Sequence, residues 1–352
     1  MHGSHRQSRK IARHVPRVLI VDDSAVARAV LARMTREGGQ FVLAGAVADI
    51  PAALAFLAGE RVDLILLDLE MPGVDGLTGL PDLVAVGDGA RILVVSSNCE
   101  QGAAATVQAL ALGAADTLVK PGGAGFVGPF AEVLRDRMMR LTERTMPQEC
   151  LPLAPHPANA PFDVVAIGAS TGGIHALSGV LRAVPKAFDR PILITQHLPA
   201  SFSPYFAAQM AVLGNRPCEV ATDRLRLMPG RIVVAPGDAH IVAVSIGESG
   251  CAVRLSEEPV PNGNMPSVDP MLSSLAQVYG PRMLAIILSG MGRDGLEGAI
   301  AVRRAGGTVV VQDEASSVVW GMPGAVAGAG YADAVMAPDA IGELIAAQVQ
   351  RR

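Results

Sequence analysis

Cysteine is scarce in this chain and does not cluster. Cys99, Cys150, Cys218 and Cys251 are widely separated among 352 residues and form no C-x-x-C pair. That spacing argues against a disulfide framework and against a zinc site. An excess of basic charge is also missing: 29 Lys and Arg stand against 33 Asp and Glu, a net charge of −4. Nonspecific retention of nucleic acid needs a basic field, and this chain has none. Long apolar runs are absent as well. Leu64 to Leu67 and Leu284 to Leu288 fall far short of the roughly 20 residues that span a bilayer, so no integral membrane protein is expected. The first 16 residues are basic and polar and lack the apolar stretch of a secretory signal. They read as a tail, and the cytoplasm is the expected location. What the chain does have is apolar substance. It is 50% hydrophobic and 18% charged, which excludes a disordered chain, and its length calls for two or three domains.

Pro147, Pro152, Pro155, Pro157 and Pro161 punctuate a stretch without regular pattern. Proline removes backbone donors and turns its predecessor away from helix, so residues 144–161 read as a linker. One domain is expected over 17–143 and another over 162–352. In the first, Val18 to Val21, Val42 to Val47, Val62 to Leu67, Ile92 to Val95 and Thr117 to Val119 are Val/Ile/Leu-rich without alternation. Such runs suit strands covered on both faces. Helices are expected at 24–37, 49–59, 100–112 and 128–143, with a weaker one interrupted by Gly79 and Pro81. This grammar predicts a doubly wound, five-stranded parallel sheet. After the linker it returns. Strands are expected at Asp163 to Ile167, Ile192 to Thr195, Ile232 to Ala235, Ile241 to Val244, Met283 to Leu288 and Thr308 to Val311. Helices are expected at 173–183, 203–213, 270–278 and 295–305. A second doubly wound, mostly parallel α/β domain follows.

In an open parallel sheet, ligands bind beyond the carboxyl ends of the strands. In the first domain those ends carry Asp22 and Asp23, Asp68, Ser96 and Ser97, and Lys120-Pro121. Three carboxylates on one rim repel each other unless a cation lies among them, and Mg²⁺ prefers such hard oxygen ligands. A lysine and a hydroxyl nearby complete a site for moving a phosphoryl group onto Asp68. Each part alone also reads as an ordinary helix cap or strand end. Together, Val-Asp-Asp-Ser at 21–24, Leu-Asp-Leu-Glu-Met-Pro-Gly-Val-Asp-Gly at 67–76 and Lys120-Pro121 resemble response-regulator receiver domains. The resemblance implies phosphorylation of Asp68 by a histidine kinase. It implies Mg²⁺ held by Asp22, Asp23 and Asp68, Lys120 paired with the phosphoryl group, Ser96 moving to meet it, and a cis Lys120–Pro121 bond. Thr117 stands where receivers commonly carry the aromatic that reports phosphorylation.

In the second domain, Gly168, Ser170 and Gly172 match G-x-S-x-G at a strand-to-helix turn. Such a turn exposes the Ser oxygen, and the helix N-terminus behind it favours developing negative charge. A phosphate cradle or a simple cap fits the same residues. A nucleophilic serine needs a base. His197 follows the strand Ile192 to Thr195 and so sits on the same rim. His175 and His240 read as packing or surface histidines. A third group must hold the imidazole tautomer. Asp294, in Ser-Gly-Met-Gly-Arg-Asp-Gly at 289–295, lies at another carboxyl end, though it also reads as the N-cap of the next helix. The order Ser170, His197, Asp294 is not that of α/β-hydrolases.

Gly-Ala-Ser-Thr-Gly-Gly at 168–173, Gln-His-Leu-Pro at 196–199, Pro-Ser-Val-Asp at 266–269, the 289–295 segment and Gly-Met-Pro-Gly at 321–324 resemble the chemotaxis response regulator protein-glutamate methylesterases. The resemblance implies an esterase with the triad Ser170, His197 and Asp294, the Met291 N–H on the oxyanion, and Thr171 supporting Ser170. Its implied substrate is the glutamate γ-methyl ester on chemoreceptors, giving glutamate and methanol without a cofactor for the ester step. Some members of that family also deamidate receptor glutamine. Implied partners are a histidine kinase and methylated chemoreceptors, with no nucleic acid and no membrane insertion. The rival reading is a phosphorylation-dependent interaction module with a vestigial esterase site.

Overall fold

The computed structural model describes residues 14–96, 103–121, 129–143, 161–247 and 250–349. Most of the tail and linker, Ser97, Cys99 and Cys150 lie outside these residues, as do the expected starts of the helices at 100 and 128. In the N-terminal domain the elements run β1 (Arg17–Val21), α1 (Ala25–Arg36), β2 (Val42–Val47), α2 (Ile50–Leu57) and β3 (Leu64–Leu67). They continue with α3 (Gly76–Val86), β4 (Arg91–Ser96), α4 (Ala103–Ala111), β5 (Asp116–Val119) and α5 (Pro129–Thr142). The strands form one sheet in the order β2-β1-β3-β4-β5, and every pairing is parallel. Strands β1 and β3, the middle of that sheet, are almost fully buried because helices cover both faces. The interrupted segment does form a helix: α3 continues through Pro81. Proline there removes one interior N–H, and burial of Leu80 and Leu83 on the core offsets the loss.

The C-terminal domain contains β6 (Val164–Ala169), α6 (Gly173–Ala183), β7 (Ile192–Gln196), α7 (Ser203–Gly214), β8 (Cys218–Val220) and β9 (Ile232–Val234). Next come β10 (His240–Ile246), β11 (Gly250–Ser256), α8 (Val268–Tyr279), β12 (Met283–Ile287), α9 (Leu296–Arg304) and β13 (Thr308–Gln312). It ends with α10 (Met322–Gly328), β14 (Ala334–Met336) and α11 (Pro338–Ala346). Seven strands form a parallel sheet in the order β14-β13-β12-β6-β7-β9-β8, and β10 and β11 form an antiparallel ribbon beside it. Strands β8 and β14 are three residues each, too short to show a period in the sequence. Helix α10 begins on Met322-Pro323, where proline is tolerated because the first helical N–H groups are unpaired anyway. Among the described residues no helix is long and apolar enough to cross a membrane.

The two domains share one apolar cluster, which runs from Val107 and Leu110 on α4 to Ile174 and Leu177 on α6. Polar contacts cross the same boundary. The Gly172 N–H donates to the Ala115 carbonyl at 3.0 Å. The Arg91 guanidinium donates to the Ser317 carbonyl at 2.8 Å. The β5–α5 side of the first domain therefore lies over the carboxyl rim of the second.

Gly76 fixes how α3 leaves β3. A Cβ there would lie 2.1 Å from the Asp68 carbonyl oxygen, so the helix start presses directly on the strand end that carries Asp68. Gly76→Ala is expected to lower stability by about 1–3 kcal/mol, read as a fall in the thermal midpoint of the full chain. An unchanged midpoint would show that this turn has room to spare.

Candidate active site

Strand register assembles the catalytic rim. Ala169 at the end of β6 pairs with Gln196 at the end of β7, which brings Ser170 and His197 side by side. On the other flank β12 pairs with β6, Ile287 against Gly168. The chain beyond β12 stays in register, with Ser170 N–H donating to the Ser289 carbonyl at 3.0 Å. The turn after Ser170 needs Gly172, whose φ is +74° and whose position a Cβ could fill only at 2.4 Å from Val318. Three parallel strands thus deliver a hydroxyl, an imidazole and, a few residues past β12, a carboxylate to one place.

The three side chains are in contact. His197 Nδ1 lies 3.1 Å from Ser170 Oγ, and His197 Nε2 lies 2.7 Å from Asp294 Oδ2. Because Asp294 is a carboxylate, Nε2 carries the proton, and the bare lone pair of Nδ1 faces the serine. The two ring nitrogens therefore exchange the roles they have in the serine-protease template, where Nε2 serves the serine.

Asp294 is the most tightly held group in the site. Its carboxylate accepts from His197 Nε2, Ser267 Oγ, Asn262 Nδ2 and the N–H groups of Val268, Asp269 and Gly295. Burial alone would raise its pKa. The donors of His197, Val268 and Ser267 outweigh that and bring it down to about 2. The expectation that Asp294 caps the following helix is corrected here. The N-cap of α9 is Gly295, and Asp294 instead receives the first N–H groups of α8. The exchange is reciprocal, since Asp269 in the first turn of α8 accepts the Gly298 N–H of α9 at 2.8 Å. Burial, and then the neighbouring charge of Asp294, push Asp269 up to about 6. Of this carboxyl pair, Asp269 is therefore the one that takes up a proton first as the pH falls.

Around the triad lies a cavity of about 560 Å³. Thr171, Gln196, Asn262 and Met291 line it from the catalytic side, and Thr117, Arg137 and Arg140 line it from the N-terminal domain. Among the described residues no acceptor is found for the Met291 N–H, which leaves it available beside Ser170. Thr171 meets its neighbours through its carbonyl, which accepts from Ser289 Oγ at 2.8 Å. Among the described residues its hydroxyl makes no hydrogen bond to Ser170. Arg140 donates to the Met291 sulfur at 2.9 Å across the domain boundary. Arg137 pairs with Asp116 at 2.8 Å and donates to the Thr117 carbonyl, where receivers commonly have their aromatic. His175 is exposed on α6 and faces the Ala111 carbonyl at 3.5 Å. His240, expected to be a packing or surface residue, is 1% exposed and hydrogen-bonded behind the triad. Neither His240 nor Arg140 lies in a motif that could have marked it. Ser267 and Asp269 did have such a signal in the Pro-Ser-Val-Asp segment.

The rim of the first domain is equally well assembled. Carboxylate oxygens of Asp22, Asp23 and Asp68 all lie within 4.8 Å of one another. Lys120 Nζ is 2.7 Å from Asp22 and 2.5 Å from Asp68. The Asp22 Oδ2 is buried yet accepts no hydrogen bond of good geometry among the described residues. Burial raises the Asp68 pKa; Lys120 works against the rise and Asp22 adds to it. Burial would lower Lys120, but its bonds to Asp22 and Asp68 raise it. Three converging carboxylates against one ammonium leave a surplus of negative charge, and that donor set fits a small hard divalent cation. Ser96 is buried at the end of β4, where its carbonyl accepts the Lys120 N–H. Ser24 is the N-cap of α1, and Arg28 holds the Asp22 and Asp23 carbonyls. The Lys120–Pro121 bond is trans, because the one cis bond among the described residues is Met265–Pro266.

Residues 165–345 match the family CheB methylesterase, and residues 18–125 match the response regulator receiver domain. The protein-glutamate methylesterase/protein-glutamine glutaminase 2 of Caulobacter vibrioides is 39% identical over 347 residues, spanning 95% of this chain and 99% of that one. The corresponding protein of Pseudomonas aeruginosa is 37% identical over 342 residues, 95% of this chain and 97% of that one. Among solved structures, the CheB methylesterase catalytic domain of Thermotoga maritima superposes with a TM-score of 0.51 at 35% identity, covering 53% of this chain and 98% of that one. Family match, near-complete coverage by relatives and the paired rims agree: the chain belongs to the CheB methylesterase family and carries a response regulator receiver domain at its N-terminus.

Proposed function

We propose that this protein hydrolyses glutamate γ-methyl esters on chemoreceptors, through a triad of Ser170, His197 and Asp294, under control of phosphorylation at Asp68. The observation that carries the reading is the continuous contact from Ser170 Oγ through His197 to Asp294 Oδ2. Ser170 Oγ attacks the ester carbonyl while His197 Nδ1 takes its proton. Charge developing on the carbonyl oxygen is met by the Met291 N–H, a preorganised donor in a partly enclosed cavity. The imidazolium, stabilised by Asp294, returns the proton to the leaving methoxide, and methanol departs. Water then attacks the acyl-enzyme with His197 again as base, releasing glutamate and restoring Ser170. A receptor glutamine offers the same carbonyl with ammonia as leaving group, as the relatives' names indicate for them. Thr171 shapes the wall beside Ser170. The ester step requires no cofactor, and the expected location remains the cytoplasm.

In the receiver, Asp22, Asp23 and Asp68 would hold Mg²⁺. Bound there, the ion would neutralise charge on an incoming phosphoryl group. Asp68 is the acceptor carboxylate, Lys120 pairs with the phosphoryl oxygens, and Ser96 supplies a hydroxyl from the adjacent strand end. A histidine kinase is the phosphodonor. Arg137, Arg140 and Thr117 border the catalytic cavity, which supports a closed form in which the receiver stands in the path of a receptor helix. Phosphorylation adds charge near β5 and shifts the balance toward an open form, in proportion to its differential stabilisation of that form.

Methanol release from methylated receptor measures the chemistry directly. Ser170→Ala is expected to lower kcat by about 10⁴-fold or more; release at the wild-type rate would remove Ser170 from the mechanism. Regulation is measured by comparing the full chain, Asp68→Ala and residues 162–352 alone, with and without a small phosphodonor and Mg²⁺. The fragment should exceed the unphosphorylated full chain, and Asp68→Ala should lose the phosphodonor response. A fragment no faster than the full chain would exclude coverage by the receiver. Asp294 gives a stability test. Its pKa lies below the ordinary carboxylate value, so its ionised form stabilises the fold above about pH 4. That contribution fades as pH falls toward about 2 and is worth roughly 2 kcal/mol. The stability gap between wild type and Asp294→Asn, from denaturant titrations, should therefore narrow on acidification. A gap that widened would reverse the sign assigned here.

A further inference from the structure

Behind the triad stands a second buried histidine that the mechanism above does not use. His240 opens β10 and is 1% exposed. Its Nε2 lies 3.1 Å from the Glu258 carbonyl, so Nε2 carries a proton and donates. Its Nδ1 is then an acceptor, and it takes the Ser267 backbone N–H at 2.8 Å. Ser267 is fully buried, and its N–H has no route to water. Ser267 is the N-cap residue of α8, yet its side chain makes no capping bond to its own helix. The usual role of a serine at this position is to accept an N–H of the first turn. Here the Val268 and Asp269 N–H groups go to Asp294, and the Ser267 hydroxyl donates to Asp294 Oδ1 at 2.7 Å. The result is an unbroken path: Glu258 carbonyl, His240, Ser267, Asp294, His197, Ser170.

We infer that His240 is a positioning residue for the hydrolysis, acting through Ser267 on Asp294. Taking the triad assignment as its basis, the inference adds a function for a histidine outside every motif of the site. His240 touches neither substrate nor reacting atoms. By accepting the Ser267 N–H it fixes the N-cap backbone from which the hydroxyl reaches Asp294. Asp294 in turn sets the rotation of His197 and so the aim of Nδ1 at Ser170. Loss of the acceptor leaves a buried N–H unpaired, and the cap can relieve this only by turning, which carries the hydroxyl with it.

Two isosteres separate this function from mere packing. In His240→Asn the amide oxygen overlays Nδ1 and keeps the acceptor for Ser267. In His240→Gln the amide nitrogen overlays Nε2, keeps the Glu258 bond and loses Ser267. The full chain, activated with a small phosphodonor and Mg²⁺, is assayed for methanol release from methylated receptor, with thermal melts alongside. The Gln variant is expected to lose about ten- to fiftyfold in kcat with KM changed less than about twofold, and the Asn variant to stay within about threefold of wild type in kcat. Wild-type kcat in the Gln variant, or equal losses in both variants, would overturn the inference. If the Gln variant does not fold, Ser267→Ala decides. An unchanged kcat there overturns the inference, because the hydroxyl through which His240 acts would then be dispensable. Ser170→Ala runs in parallel: if it stays active, the triad assignment itself fails, whatever the His240 variants do.

Discussion

A single buried carboxylate organises the catalytic half of this molecule. Asp294 sits where two helices start and one strand ends, and six donors converge on it. An unpaired carboxylate in so dry a place would take up a proton. The donors keep it ionised, and the ionised form is what holds Nε2–H of His197 and leaves Nδ1 bare. The hydrogen bonds that satisfy the buried charge are thus the same ones that set which nitrogen of the His197 ring carries the proton. Helix α8 benefits as well, because a negative charge at a helix N-terminus opposes the helix dipole. Structural stability and reactivity are therefore hard to alter separately at this position.

Much of this was legible in the chain itself. Parallel strands buried on both faces announce themselves as unbroken Val/Ile/Leu runs, and their ends point to one rim. Asp22, Asp68 and Lys120, and likewise Ser170, His197 and Asp294, could thus be placed together from connectivity alone. The partners of Asp294 were not legible. Its reading as a cap for α9 was sound by local rules, because the residue lies just ahead of that helix. The structure swaps the carboxylates: Asp294 serves α8, while Asp269 serves α9. No local rule anticipates a cap supplied from a distant loop. His240 was missed for the same reason, since nothing beside it in the sequence distinguishes a hydrogen-bonded buried histidine from a packed one. Three-residue strands such as β8 and β14 carry too few side chains to show alternation.

The receiver is joined to the catalytic domain by more than a linker. A shared apolar cluster links α4 and α6, and backbone and guanidinium contacts cross the boundary at Ala115, Arg91 and Arg140. Charged residues of β5 and α5 line the same cavity as Ser170, His197 and Asp294. Thr117 has no ring to swing. At that position the structure offers a carbonyl held by Arg137, whose guanidinium also pairs with Asp116. A carbonyl held by an ion-paired arginine therefore stands in this chain where receivers commonly present an aromatic side chain.

The exchanged helix caps bear on how the domain is made. Helix α8 emerges from the ribosome about two dozen residues before Asp294 and holds no side chain of its own to satisfy its first turn. Among the described residues its first N–H groups are satisfied only by Asp294, on the loop beyond β12. The same loop brings Asp294 against His197. The seating of a structural helix and the orientation of the His197 imidazole thus rest on one loop, the one that carries Asp294.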